Sequence, residues 1–156
     1  LLFFSEQFDN SAWSKTDLVI NVNSANSPDG TNTSDKVVAN SGVIGTLVQF
    51  VTVPDSTTFA VSIYAKPSEI EMLSLGFVQK NGAEPGAIFN LKTNSITNFP
   101  SSPINAYIEE SSNGFKRCVI IINSNSGGTS PRVRIYAPSS IGVGDGVSGF
   151  FIWGAQ

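Results

Sequence analysis

Histidine is absent from the 156-residue sequence, and there is a single cysteine. Without histidine the chain lacks the commonest general base and the commonest zinc ligand, so Ser-His-Asp and Cys-His catalysis are excluded. One cysteine can form no disulfide bond within the chain and cannot build a zinc site. Cys118 begins the apolar run 118–122, and we expect it to be a small buried side chain.

Charge and long apolar runs are also scarce. Only 13% of residues are charged, the formal net charge is −3, and the nine lysines and arginines are scattered. The chain therefore has no basic stripe, and we expect no nucleic-acid partner. The longest apolar runs, of about five residues, fall far short of the roughly 20 that cross a bilayer, so no membrane insertion is expected.

Turn-forming and strand-forming residues dominate what is present. The length suits one domain, and 14 glycines and 8 prolines punctuate short runs rich in Val, Ile, Phe, Tyr and Thr. No long segment has a helical period, so the pattern predicts an all-β antiparallel sandwich of about 10 to 11 short strands in two sheets. The predicted strands are 1–5, 17–23, 36–39, 46–53, 57–66, 71–79, 87–92, 104–109, 115–123, 132–137 and 149–153, with one helical turn allowed within 5–14. Because the sequence has no initiator Met and no signal-peptide pattern, we expect residues 1–156 to be a single module excised from a longer protein.

Two of the predicted strands alternate strictly, which assigns their faces. In 57–66 the apolar row is Phe59, Val61, Ile63 and Ala65, and the outer row is Thr58, Ser62, Tyr64 and Lys66. In 132–137 the apolar row is Val133, Ile135 and Ala137, and the outer row is Arg132, Arg134 and Tyr136. Each outer row thus combines a tyrosine with cations.

Carboxylates offer the remaining catalytic chemistry, because a glycosidase needs only two at a defined separation. Glu69 with Glu71, and Glu109 with Glu110, are the available pairs. Both pairs lie where solvated charge is routine, at a strand entrance and before a turn. We therefore expect no enzyme, and a glycan-degrading domain is the third hypothesis.

Calcium is the one possible cofactor, since oxygen ligands from loops suffice to bind it. Weak candidate ligands are Glu6 and Asp9 near the start of the chain and Asp145 near its end, if the termini come together in the fold. No EF-hand spacing supports the site, and no other cofactor is expected.

Several segments together resemble a known group of modules. They are 4–13, 27–31 with the following Asp35 and Lys36, 59–66, 113–118, 144–146 and 152–156. The combination resembles modules of phage tail-fibre, tailspike and head-fibre proteins, which are similar to carbohydrate-binding jelly rolls. The resemblance implies a jelly-roll fold and a virion setting, but no particular ligand.

The motif residues themselves are predicted to be structural. Phe8, Trp13 and Trp153 are expected to pack the ends of the sandwich, because buried aromatic rings contribute a large apolar area. Asp35 and Lys36 are expected to form a surface turn and a strand start.

Sugar recognition needs an exposed aromatic plane flanked by hydrogen-bonding groups, and the two outer rows contain both. Tyr64 and Tyr136 are the candidate platforms. The candidate donors are Ser62, Lys66, Arg132 and Arg134, which would join them in one site if the two strands are neighbours in one sheet. Phe99 and Tyr107 are weaker candidates. The alternative interpretation is an ordinary solvated sheet face.

The leading hypothesis is a non-enzymatic module on a virion surface that binds host cell-surface carbohydrate. The alternative is a purely structural domain that contacts other virion proteins or copies of itself, with Met72 and Val78 as candidate interface residues. A secreted or bacterial cell-surface location is the alternative setting.

Overall fold

Twelve short strands make up about half of the described chain, and they follow the runs of branched and aromatic residues. The computed structural model describes residues 2–138 and 142–156. The strands are β1 Ser14–Thr16, β2 Leu18–Ala25, β3 Ser34–Ala39, β4 Gly45–Phe50, β5 Thr58–Pro67, β6 Met72–Val78, β7 Gly86–Asn90, β8 Ile96–Asn98, β9 Asn105–Glu110, β10 Lys116–Asn123, β11 Arg132–Ala137 and β12 Gly149–Trp153. A single 3₁₀ turn, Ser112–Gly114, joins β9 to β10.

The strands form two six-stranded sheets. Sheet A has the order β1-β4-β11-β6-β7-β8 and sheet B has the order β2-β3-β12-β5-β10-β9. All neighbouring strands in both sheets are antiparallel. Between β3 and β6, and again between β10 and β12, the chain crosses from one sheet to the other at every connection. The predicted jelly-roll sandwich is therefore confirmed.

The core lies between the sheets and takes the apolar rows that alternation predicts. From β5 it includes Val61, Ile63 and Ala65, and from β11 it includes Val133, Ile135 and Ala137. Phe8 and Trp13 join this core with no exposed surface and with ring centroids 5.1 Å apart, as expected. Trp153 does not, because it lies on the outer face of sheet B beside Tyr64.

The first residues are not a strand, so that prediction is wrong for the described residues 2–5. The chain instead makes successive turns, in which the amides of Gln7, Asn10 and Trp13 each donate to the carbonyl three residues earlier. These turns also replace the predicted helical turn. Strands β1 and β8 were not predicted, since three residues are too few to show an alternation.

Cys118 is buried as expected, and burial raises the pKa of its thiol. A neutral thiol without solvent access is unreactive. In the ranges 2–138 and 142–156, no helix has the length and apolar character needed to cross a membrane.

Candidate functional site on the outer face of sheet A

The predicted strands 57–66 and 132–137, which carry the two candidate tyrosines, lie in different sheets. They are therefore not neighbours, and their outer rows do not form a single site. β5 is in sheet B, whereas β11 is in sheet A. The structure brings Arg132, Arg134 and Tyr136 together on one outer face. It places Ser62, Tyr64 and Lys66 on the opposite side of the sandwich.

Two glycines create a depression in the outer face of sheet A beside β11. Gly76 of β6 lies opposite Arg134, and Gly86 of β7 lies opposite Gly76. The ring of Phe99 packs over both, since a Cβ atom would lie 3.1 Å from it at Gly76 and 2.7 Å from it at Gly86. A residue with a side chain at Gly86 would therefore displace Phe99.

A hydrogen-bonded network of three side chains borders this depression. Arg134 Nη1 donates to Glu84 Oε2 and to Tyr136 Oη, both at 2.9 Å, and Tyr136 Oη donates to Glu84 Oε1 at 2.8 Å. The side chains of Arg134 and Glu84 are only 24% and 22% exposed, so their ion pair is more shielded than a surface pair.

An aromatic wall stands beside the network. The Phe99 ring meets the Tyr136 ring edge to face, with centroids 6.1 Å apart. With Glu84, Pro100 and Ser101, these two rings line an open cleft of about 400 Å³. The cleft thus combines an apolar surface with a carboxylate that the Arg134 guanidinium holds in place.

One donor of the network is unused, and burial favours the neutral form of its phenol. Within the described residues, Arg134 Nε is buried and has no hydrogen-bond partner. Burial raises the pKa of Tyr136, although the hydrogen bond from Arg134 counteracts part of the effect. Tyr136 therefore stays a hydrogen-bond donor at neutral pH. An unsatisfied buried donor costs about 1 to 3 kcal/mol, and the burial of Nε keeps it out of reach of a ligand in the cleft.

Arg132 extends the same row toward the end of β4. Its guanidinium carbon lies 5.7 Å from the ring centroid of Phe50, which is opposite Arg132 in the sheet. Nη1 donates to the carbonyl of Ser130 at 3.0 Å. No carboxylate among the described residues pairs with Arg132, in contrast to Arg134 and Arg117.

On sheet B, the predicted residues are engaged in contacts within the fold. Tyr64 packs edge to face on Trp153 with centroids 5.5 Å apart, and Trp153 Nε1 donates to Thr33 Oγ1 at 3.2 Å. Lys66 Nζ lies 5.9 Å from the centroid of Phe115, which is fully buried outside the core between the sheets.

Two loops from opposite edges of sheet B meet near these aromatic rings. Asn113 Nδ2, in the turn between β9 and β10, donates to the carbonyl of Ser27, in the loop between β2 and β3, at 2.7 Å.

Ser62 is 2% exposed, and its hydroxyl accepts a hydrogen bond from Arg117 Nε at 3.2 Å. This face therefore offers Ser62 to no ligand.

The candidate calcium ligands are not brought together. The chain ends do meet, because the amide of Ala155 donates to the carbonyl of Ser5. Asp145, however, lies beyond the other end of β12, where Gly144 bridges to Ser41. Its carboxylate accepts hydrogen bonds from the hydroxyl and amide of Ser148, which lower its pKa to about 2. The structure therefore does not bring Glu6, Asp9 and Asp145 into one site, and calcium binding itself stays a prediction. In the part of the chain that the structure describes, no three His, Cys, Asp or Glu side chains are arranged to hold a metal ion.

Glu6 and Asp9 instead line a cleft with Asp35. The prediction of a surface turn at Asp35 is wrong, because this residue is 2% exposed. Its carboxylate accepts hydrogen bonds from the amides of Phe8 and Asn23, both at 3.0 Å, and burial raises its pKa. Asp35 thus fastens the turns at the start of the chain to the irregular end of β2.

The paired carboxylates that could have suggested a glycosidase are each bound to a cation. Their partners are Lys36 for Glu69, Lys92 for Glu71, Arg117 for Glu109 and Lys116 for Glu110. The hydrogen bond from Lys36 lowers the pKa of Glu69 to about 2. A general acid needs the opposite shift.

Three residues of the sheet A face, Glu84, Gly76 and Gly86, are not among the site residues predicted from the sequence. Glu84 lies in a loop and has no distinguishing pattern around it. Gly76 and Gly86 did carry a signal, since a glycine within a strand indicates a close approach of other atoms. Phe99, a weaker candidate, lies in the cleft, whereas Tyr107 lies on β9 in sheet B.

Comparisons with known proteins give little further information. No protein-family model matches the chain, and no curated protein is similar to it. One solved structure to which the chain is similar is described as CBM35 from Paenibacillus barcinonensis. That likeness has 15% sequence identity and a TM-score of 0.42, and it covers 94% of this chain and 93% of the other. The fold assignment rests on the strand pairing itself, and no residue role is transferred.

Proposed function

We propose that the protein is a non-catalytic carbohydrate-binding module whose site is the outer face of sheet A. The observation that carries the proposal is the partly shielded Arg134–Glu84–Tyr136 network, which stands beside Phe99 in an open cleft. Three of the predicted site residues, Arg132, Arg134 and Tyr136, lie in this one row.

A sugar matches the chemistry of this cleft better than an apolar ligand does. The apolar face of a pyranose ring can pack on an aromatic ring, while its hydroxyls both donate and accept hydrogen bonds. Glu84 accepts and Arg134 donates, and the network holds both in place before binding, which reduces the entropy lost on association. An apolar ligand would instead cover these charged groups and remove them from water without making new hydrogen bonds to them.

Affinity electrophoresis tests the proposal directly. The chain is run in gels containing neutral polysaccharides, dextran or xylan, or acidic ones, alginate or hyaluronan, and is then applied to a bacterial glycan array. We expect retardation by at least one polysaccharide or a signal on the array. Tyr136→Ala should abolish either response, because it removes the ring and breaks the network.

Tyr64→Ala is the matched control, since it removes the corresponding tyrosine from sheet B. It should leave glycan binding unchanged. Absence of binding to every polysaccharide and to the array at millimolar sugar would overturn the proposed function. Equal loss in both variants would move the site away from sheet A.

We extend the proposal to the setting, a virion surface on which the module contacts host cell-surface glycan. Support for this part comes only from the resemblance of the sequence motifs to phage fibre, spike and head-fibre modules. An antiserum against the domain should label intact virus particles under the electron microscope. Labelling confined to bacterial cells would favour the alternative setting, a secreted or cell-surface protein.

An oligomerising module is the second candidate, and one apolar patch favours it. Val143 and Val147 are 63% and 74% exposed, and the loop that carries them pairs with the 41–44 loop, where Ile44 is 37% exposed. The original candidate Val78 does not contribute, because it is buried within the single chain. Sedimentation should show a dimer or trimer if this function is correct, and a monomer at high concentration would contradict it.

A further inference from the structure

We propose that the ligand of sheet A is a chain of several sugars that lies along β11, and that the cleft at Phe3 and Phe50 is its second aromatic subsite. The inference rests on the proposed function and specifies the form of its ligand. It follows from two aromatic clefts that lie near the two ends of the outer row of β11, one at Phe50, which is opposite Arg132 in the sheet, and one at Tyr136.

Phe50 is exposed in a way that the fold does not require. Its side chain points outward from the last residue of β4 and is 56% exposed, and Phe3 nearby is 68% exposed. The two line a cleft of about 610 Å³ together with Val51, Thr52, Ser130 and Pro131. Two exposed phenylalanines in one cleft form an apolar surface on which a sugar ring can pack.

The cleft is held in shape by a buried side chain. Gln49 is 2% exposed, and its amide makes two hydrogen bonds to the backbone of Phe3. The Phe3 amide donates to Oε1 at 2.7 Å, and Nε2 donates to the Phe3 carbonyl at 2.9 Å. Phe3 is therefore fixed to β4 although it lies outside any strand, and the aromatic surface exists before a ligand arrives.

Arg132 provides the polar part of this second subsite. Its guanidinium lies against the Phe50 ring and has no carboxylate partner among the described residues, so most of its donors are free for hydroxyl groups. Arg132 and Tyr136, which border the two subsites, are four residues apart on one strand, so their Cα atoms are separated by about 13 Å. A single sugar cannot contact both, whereas an oligosaccharide can.

The experiment is a titration with a size series of oligosaccharides. The series, from monosaccharide to octasaccharide, is prepared by partial hydrolysis of whichever of dextran, xylan, alginate or hyaluronan retards the protein, and binding is followed by calorimetry. We expect the affinity to rise about tenfold or more once the ligand is long enough to reach both subsites. Phe50→Ala should remove this gain and leave the affinity for the shortest ligand unchanged, whereas Tyr136→Ala should abolish binding at every length.

Ile104→Ala is the control for Phe50→Ala, because Ile104 is similarly exposed, at 62%, and precedes β9 of sheet B. It should leave the whole length dependence unchanged. A monosaccharide that binds as tightly as the octasaccharide would overturn the inference and leave the proposed function intact. An unchanged length dependence in Phe50→Ala would likewise overturn the inference and leave the proposed function intact. If none of the four polysaccharides retards the protein, the proposed function fails for these ligands.

Discussion

The outer faces of the two sheets carry the same kinds of residue but differ in how they are covered. On sheet B, Tyr64 packs on Trp153, Lys66 lies over buried Phe115, and two neighbouring loops meet through Asn113 and Ser27. On sheet A, Tyr136 and Phe99 border an open cleft. A tyrosine between cations on an outer strand face is therefore a structural element on one sheet and a candidate binding surface on the other. The connecting loops decide which.

The first prediction concerns the covered face and has the largest expected effect. Phe115→Ala should lower the free energy of unfolding by about 3 kcal/mol, because it removes a fully buried ring. Urea denaturation measures the change. Phe99→Ala is the comparison, because Phe99 is only partly buried. This substitution should lower the free energy of unfolding clearly less than Phe115→Ala does. Equal losses would mean that both faces are structural.

The second prediction tests the contact between the two loops. Asn113 has a φ angle of +57° and donates to Ser27, so Asn113→Ala should lose both the favourable backbone conformation and the hydrogen bond. We expect a loss of about 2 kcal/mol in the free energy of unfolding. Asn113→Gly keeps the backbone freedom and should lose only about 1 kcal/mol. A glycine variant less stable than the alanine variant would contradict this account.

The third prediction assigns part of the acid sensitivity of the fold to the sheet B side. Lys36 of β3 holds the pKa of Glu69 at about 2, below its ordinary value of 4.5. The ionised carboxylate therefore stabilises the folded protein above pH 4.5, and this contribution is lost as the pH falls toward 2. Urea midpoints measured across this range should fall less steeply for Glu69→Gln than for the wild type. Parallel curves would show that Glu69 contributes nothing.

The smallest effect on stability is expected at the open face. Tyr136→Phe keeps the ring but removes a hydroxyl that donates to Glu84 and accepts from Arg134. The free energy of unfolding should change by about 1 kcal/mol or less, since the site is partly solvated. Glycan affinity, measured by the same electrophoresis, should fall further than stability does. Wild-type affinity in this variant would remove the network from the binding site.

The strand pattern predicted the sandwich well because alternation reports directly which side chains are buried. The inner rows of β5 and β11 lie as predicted, and so do their outer rows. Alternation within a strand does not report which sheet that strand joins, so the pattern could not show that Tyr64 and Tyr136 lie on different sheets. The roles of Asp35 and Glu84 depend on partners about 12 to 50 residues distant in the chain, which no local pattern contains.

Gln49 binds the backbone of Phe3 as a neighbouring strand would, with one donor and one acceptor and no charge. An amide does not titrate between pH 2 and 10, and added salt does not screen its hydrogen bonds as it screens an ion pair. The aromatic end of the sheet A face should therefore keep its shape in acid and in high salt. Added salt, by contrast, screens the ion pair between Arg134 and Glu84 at the other end, so the two ends of one surface differ in the salt concentration that they tolerate.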